Sequence, residues 1–188
     1  MALDANALVD LATVKVFLAK ATAEDDPMIE LLIGQVSTLV EQFLGRNLIE
    51  ATYTDALLDG PGSEFLHLPE WPVDSESLVI TEDDTLLTSA QYLLYGPRGY
   101  VRRVGGAWTD SAQGIKITYK AGYTLATMPR DIQAVVINKI GREWQKHANS
   151  LWGQTSRSMG EGSVSLELPT ALTDDEKKAL MPHQRVRI

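Results

Sequence analysis

The chain has 188 residues, enough for one hydrophobic core of ordinary size but not for two comfortable domains. Its composition, 44% hydrophobic and 22% charged, is typical of a soluble globular protein and excludes a disordered or membrane-embedded chain. The net charge is -8, and residues 1–60 carry ten acidic against three basic groups, which disfavours a protein that grips nucleic acid through clustered Lys and Arg.

The first 46 residues predict two helices. Asp10 precedes an apolar set at helical spacing, which predicts a short helix over about residues 11–20 with Asp10 as its N-cap. The run from Glu24 to Pro27 places carboxylates and a proline at the start of a second helix. An apolar stripe covers residues 29–44, and Gly45 ends this helix as a C-terminal cap.

Between residues 51 and 123 the hydrophobic period changes to two, which indicates short strands. Turn residues separate the apolar runs at 59–62, 96–99 and 105–106. These signals predict a small antiparallel sheet. The strand candidates are residues 52–57, 64–68, 77–81, 92–95, 100–104 and 115–119.

The helical period returns after residue 123 and predicts a long helix over residues 128–150, starting near Pro129. Residues 151–171 are predicted to form a flexible loop because positions 153–165 are rich in Gly and Ser. A capping box between Thr173 and Glu176 starts a last short helix, which ends before Pro182. Residues 182–188 follow as an extended basic tail.

These elements predict an α+β fold, a small bundle of α-helices with an inserted antiparallel β subdomain. The chain is interpreted as a single domain over residues 1–188. Its parts are the N-terminal helices (10–46), the β subdomain (51–123), the long helix (128–150), the flexible loop (151–171) and the C-terminal helix with its tail (172–188).

The sequence offers no catalytic residue, no metal ligand set and no cofactor motif. It has no cysteine, and its three histidines lie outside any ligand pattern; His67 is predicted to face solvent from a strand. No Gly-x-Ser-x-Gly elbow or phosphate loop is present. The acidic pairs are interpreted as helix caps or, at Asp83-Asp84, as a hairpin tip.

Two alternatives to a purely structural protein remain open. A small carbohydrate- or nucleic-acid-binding β module would stack its ligand on Trp71 or Trp108, although their positions beside strands favour a role in closing the core. A hydrolase with an unrecognised site is the other, because a Ser/His/Asp triad is assembled only by folding.

The order of these parts resembles the head-tail connector (adaptor, or head-completion) family of long-tailed bacteriophages, prophages and gene transfer agents. The resemblance covers most of the chain. It rests on LATVKVFL at 11–18, the Asp25-Asp26 start, the helix of residues 29–44 ending in FLGR at 43–46, LPEWPV at 68–73, ITYKAGY at 117–123 and LMPHQRVRI at 180–188.

The resemblance implies a virion protein made in the bacterial host cytoplasm and placed at the head-tail interface. It implies a ring of about twelve subunits below the portal protein, with a neck, stopper or tail-completion protein beneath it and no membrane partner. DNA would pass through the ring without specific binding. The C-terminal segment would reach the portal, so the portal-interface candidates are Arg185, Val186, Arg187 and Ile188. Their alternating basic and apolar pattern suits pairing with the edge of a partner's strand.

Overall fold

The computed structural model describes residues 5–19, 22–148, 156–159, 162–165 and 172–185. The chain divides into two compact units. The helical unit comprises Met1–Gly45 and Thr127–Ile188, and the β unit comprises Arg46–Ala126. The predicted α+β class is confirmed by the helices and antiparallel strands described below.

Two helices open the helical unit. Helix α1 spans Leu11–Phe17, and the Asp10 carboxylate accepts the Thr13 N–H at 2.7 Å, as the predicted N-cap requires. The helix is shorter than the predicted range because the backbone leaves it at Leu18, and Ala19 has a φ of 50°.

Helix α2 spans Asp26–Leu44 with Pro27 in its first turn, and its apolar stripe is buried as predicted. Gly45 caps it in the left-handed conformation, with φ 67°. Before α1, Leu8 is fully buried, and its N–H donates to the Ser37 hydroxyl of α2 at 3.1 Å. No pattern in the sequence analysis predicted that this segment belongs to the core.

Helix α3 spans Arg130–Ala148 and contacts α1 and α2. Its predicted apolar face is buried, and it also buries an ion pair between Lys139 and Glu143, whose atoms lie 2.9 Å apart. Helix α4 spans Asp174–Leu180 and packs on α3. The predicted capping box is present, and Arg142 lies 2.6 Å from the Glu176 carboxylate, which joins α3 to α4.

Two described segments within the predicted flexible loop of residues 151–171 form strands. Residues Ser156–Met159 and Gly162–Ser165 pair as an antiparallel hairpin, in which Met159 lies opposite Gly162. Gly and Ser lower strand propensity but do not prevent backbone pairing between two short segments.

The β unit contains seven strands in two antiparallel sheets rather than the single sheet predicted. The strands are β1 (Ala51–Leu58), β2 (Phe65–His67), β3 (Val79–Glu82), β4 (Thr85–Leu86), β5 (Tyr92–Tyr95), β6 (Tyr100–Arg103) and β7 (Ile115–Ala121). The four-stranded sheet has the order β1-β7-β3-β4, and the three-stranded sheet has the order β2-β6-β5. Strand β4 follows the predicted hairpin tip, where Asp83 and Asp84 have φ values of 44° and 60°.

One hydrophobic core joins the two sheets. Leu66 and Val101 of the three-stranded sheet belong to the same buried cluster as Ile80, Ile117 and Tyr119 of the four-stranded sheet. Because the inner faces of both sheets share this core, their outward faces lie on opposite sides of the β unit.

Candidate interaction surfaces

The segment after α4 is fixed to the helical unit at His183. A 3-10 turn spans Met181–His183, and the backbone becomes extended at Gln184. The prediction of an extended tail from residue 182 is therefore wrong for Pro182 and His183, because a proline near the start of a turn keeps the backbone helical. The His183 Nε2 atom lies 2.6 Å from a carboxylate oxygen of Asp131, in the first turn of α3.

The contact with His183 changes the acidity of Asp131. Partial burial by itself would raise the pKa of Asp131. The hydrogen bonds from His183 and from the Ile132 N–H outweigh burial, so the pKa of Asp131 lies below its ordinary value of 3.8. The Asp131 carboxylate is therefore charged at neutral pH.

Two further bonds hold the segment at the end of α2. Gln184 Nε2 donates to the Phe43 carbonyl at 3.2 Å, and the Arg185 N–H donates to the Leu44 carbonyl at 3.0 Å. The last carbonyls of a helix have no partner within the helix, so these bonds satisfy acceptors that would otherwise face water. The segment leaves the unit from a defined point.

Of the four portal-interface candidates, the structure describes one. Arg185 is exposed, and its backbone is bonded to α2. Val186, Arg187 and Ile188 lie outside the described residues. The structure therefore shows where the predicted contact segment begins, at Arg185. Its contact with the portal stays a prediction.

The exposed side of α2 carries no charge. Leu31, Gln35, Thr38 and Gln42 form one stripe at helical spacing, and all four are exposed. Leu31 is 49% exposed, although it is aliphatic. A helix face that meets only water usually carries charged side chains, so this uncharged stripe is suited to packing against another protein surface.

The outward face of the three-stranded sheet is aromatic. Phe65 and His67 of β2 lie in register with Arg102 and Tyr100 of β6, which face Leu93 and Tyr95 of β5. The Tyr95 and Tyr100 rings stack with centroids 4.5 Å apart, and the Phe65 ring meets Tyr100 edge-on at 5.7 Å. We call the set of Phe65, His67, Leu93, Tyr95 and Tyr100 the aromatic face.

The outward face of the four-stranded sheet combines exposed aliphatic side chains with threonines, the central Lys116 and Lys120, which is paired with Glu50. A row across the sheet runs from Leu57 through Lys116 and Thr81 to Leu86. Val79 lies on the same face beside Thr118. Leu57, Val79 and Leu86 are 51%, 48% and 64% exposed. We call the set of Leu57, Val79, Leu86 and Lys116 the aliphatic face.

The sequence interpretation missed both faces. The alternation of Phe65 with His67 and of Tyr100 with Arg102 was visible, and it predicts that each pair shares one side of a strand. The sequence does not show that β2, β6 and β5 pair with one another. That pairing brings side chains from three separate segments together.

Trp71 and Trp108 do not form the stacking surface that the ligand-binding alternative requires. Trp108 is 2% exposed, and its indole N–H donates to the Val101 carbonyl at 3.3 Å. The Arg46 guanidinium covers the Trp71 ring at 3.7 Å and also donates to the Trp71 carbonyl. Both residues serve the β unit's own packing, as the favoured interpretation of the sequence expected for both.

Within the described ranges, no three His, Asp or Glu side chains come together in a group that could hold a metal ion. His67 is exposed on the aromatic face, as predicted, and His183 contacts Asp131. Among the described helices, none combines the length and apolar content needed to cross a bilayer.

The fold is shared with solved structures. Solved structures similar to the whole chain include the neck of an empty GTA particle computed with C6 symmetry (16% identity, TM-score 0.63) and the neck of a native GTA particle computed with C12 symmetry (15%, 0.59). A third is the virion of a native gene transfer agent (GTA) particle (15%, 0.55). Each match covers 100% of this chain and 94% of the other. At these identities the likeness shows a shared fold.

The sequence itself identifies the family. The model of the head completion protein family matches residues 7–185, and the chain therefore belongs to that family. A comparison with curated proteins yields no match. Family membership gives the chain a structural role at the head-tail connection of a phage-type virion, as the resemblance implied.

Proposed function

We propose that the chain is a head-tail connector subunit, that copies of it close into a ring of about twelve, and that the ring lies between the portal and the neck or tail. The observation that carries this proposal is the family match over residues 7–185. The C6 and C12 symmetries belong to particles that contain structural neighbours of this chain, and they make a ring the first arrangement to test.

The α2 stripe supports a contact between subunits in the helical unit. Leu31, Gln35 and Gln42 expose aliphatic and amide groups without any charge that would have to leave water. A neighbouring subunit that covers Leu31 would also bury apolar area that the lone subunit exposes. The ring would therefore be stabilised by burying this stripe.

The distribution of charge supports a channel that does not hold DNA. The chain has a net charge of -8, and its β unit, Arg46–Ala126, contains eleven acidic against six basic residues. Acidic walls repel phosphates, and non-specific affinity needs clustered cations. DNA would pass through the ring without specific binding.

The C-terminal segment is proposed to bind the portal protein. The bonds of Gln184 and Arg185 to the end of α2 fix the point from which Val186, Arg187 and Ile188 continue. An alternating basic and apolar segment suits addition to the edge of a partner's sheet. A neck, stopper or tail-completion protein would contact the opposite side of the ring.

Native mass spectrometry over a range of protein concentrations, with negative-stain imaging of the heaviest species, tests ring assembly. Closed rings are expected, either alone or after addition of portal protein. Leu31→Glu should reduce the ring fraction because it places a charge in the contact. Lys178→Glu, at an exposed position of α4, is the matched control and should leave ring formation unchanged. A protein that stays monomeric with portal present would contradict the proposal.

A portal capture experiment tests the C-terminal contact. A chain ending at Arg185 keeps the bonds to α2 and lacks only the three residues that follow. It should fold and form rings but lose portal binding, whereas the full chain binds. Equal portal binding by both chains would remove the proposed contact.

A further inference from the structure

The β unit presents two apolar surfaces that face in opposite directions. Because its two sheets share one core, the aromatic face and the aliphatic face lie on opposite sides of the unit. Exposed residues on both are large: Phe65 is 43% and Leu93 49% exposed on one side, and Leu86 is 64% exposed on the other. Solvent-facing sheets of a lone protein are normally polar, so each face is suited to being covered by another surface.

The two faces have complementary chemistry. Tyr95 and Tyr100 offer the electron-rich faces or edges of stacked rings. Lys116 lies between aliphatic side chains in the row from Leu57 to Leu86 and makes no ion pair with any other described residue. An ammonium group over a tyrosine or phenylalanine ring is an attractive contact that neither face makes with itself.

We propose that each aromatic face packs against the aliphatic face of the next copy of this chain, so that the β units form a second, continuous contact around the ring. This inference rests on the proposed ring. A subunit that joins its neighbours head to tail needs two different, mutually complementary surfaces, and only such a contact propagates around a closed ring. The two outward sheet faces meet both requirements within one unit.

A pairing of like faces fits the structure less well. Two aliphatic faces in contact would bring two Lys116 side chains together, and like charges in an interface are unfavourable. A symmetric contact between two aromatic faces would end at a dimer and leave both aliphatic faces exposed. The unlike pairing brings Lys116 to a face that also carries Arg102, but the Arg102 charge is already paired with Glu64 at 3.0 Å, and neither apolar set stays exposed.

Cysteine cross-linking tests the pairing directly, because the chain contains no cysteine of its own. Leu93→Cys marks the aromatic face, and Val79→Cys marks the aliphatic face; both positions are half exposed, so neither change opens the core. Ser75→Cys, exposed before β3 and outside both sheets, is the matched control. The variants are mixed in pairs at ring-forming concentration and treated with a short bis-maleimide, and native mass spectrometry of the same sample reports ring formation.

The expected product is a mixed dimer of Leu93→Cys with Val79→Cys, well above the yield of either variant alone or of pairs with Ser75→Cys. Adding Lys116→Met to the Val79→Cys chain should lower that yield about two- to fivefold, which corresponds to a lost cation-π contact. Rings without the mixed product would overturn the sheet pairing and leave the proposed function standing. Cross-links between two Leu93→Cys chains would replace it by a symmetric dimer. Absence of both rings and cross-links with portal protein present would overturn both proposals.

Discussion

The C-terminal segment is attached to the helical unit through residues 183–185, which we call the anchor, and is proposed to contact the portal through residues 186–188. Two truncated chains, one ending at Pro182 and one at Arg185, separate these two roles. A chain ending at Pro182 loses the His183 contact with Asp131 and the bonds of Gln184 and Arg185 to the end of α2. A chain ending at Arg185 keeps all three. The comparison therefore isolates what the anchor contributes to the stability of the helical unit.

The expected loss is modest. Asp131 is 47% exposed, so its contact with His183 contributes at most about 1 kcal/mol. Each of the two hydrogen bonds contributes about 0.5–1 kcal/mol at a surface position. Ending the chain at Pro182 should lower the free energy of unfolding by about 2 kcal/mol in total. That is less than the stability of a typical domain, so the truncated chain should still fold.

Urea titration followed by tryptophan fluorescence measures this loss. With an ordinary dependence of stability on urea, about 2 kcal/mol moves the midpoint by roughly 1 M. The anchor lies wholly within the helical unit, which contains Trp144, whereas Trp71 and Trp108 belong to the β unit. Only the urea midpoint of the helical unit should therefore decrease. Identical midpoints for the chains ending at Pro182 and at Arg185 would refute the reasoning.

Three further predictions concern the fold. Trp108→Ala should destabilise the β unit by about 3–5 kcal/mol because it empties a buried site and leaves the Val101 carbonyl without its donor, as calorimetry would show. Asp10→Ala should cost about 1 kcal/mol at pH 7. The Thr13 N–H bond lowers the pKa of Asp10 below 3.8, so this benefit is present above that pH and is lost as pH falls through the lowered value; urea midpoints of parent and variant should converge in acid. Asp84→Gly should raise stability by about 0.5–1 kcal/mol because residue 84 has a φ of 60°, and an unchanged or lower melting temperature would count against that view.

Helix α2 was predictable almost to the residue because its signals are local. Pro27 and Gly45 mark its ends, and the apolar stripe between them is independent of the rest of the chain. The capping box at Thr173 and the turn at Asp83-Asp84 were predictable for the same reason. In each case the residues that determine the conformation are neighbours in sequence.

The division of the strands into two sheets was not predictable because it depends on distant pairing. Strand β1 pairs with β7, and the segments between them fold into both sheets. The anchor of the C-terminal segment likewise joins Arg185 to Leu44, and no local sequence pattern predicts that bond. The aromatic face exists only after β2, β6 and β5 have aligned.

The bond between the Arg185 N–H and the Leu44 carbonyl also limits where a portal can bind. Three residues extend at most about 3.5 Å each, so any group that Val186, Arg187 or Ile188 contacts must come within roughly 10 Å of the end of α2, plus the length of a side chain. The segment therefore confines the proposed portal contact to the surroundings of that helix end. A portal that binds it is thereby brought against the helical unit at the junction of α2 and α3.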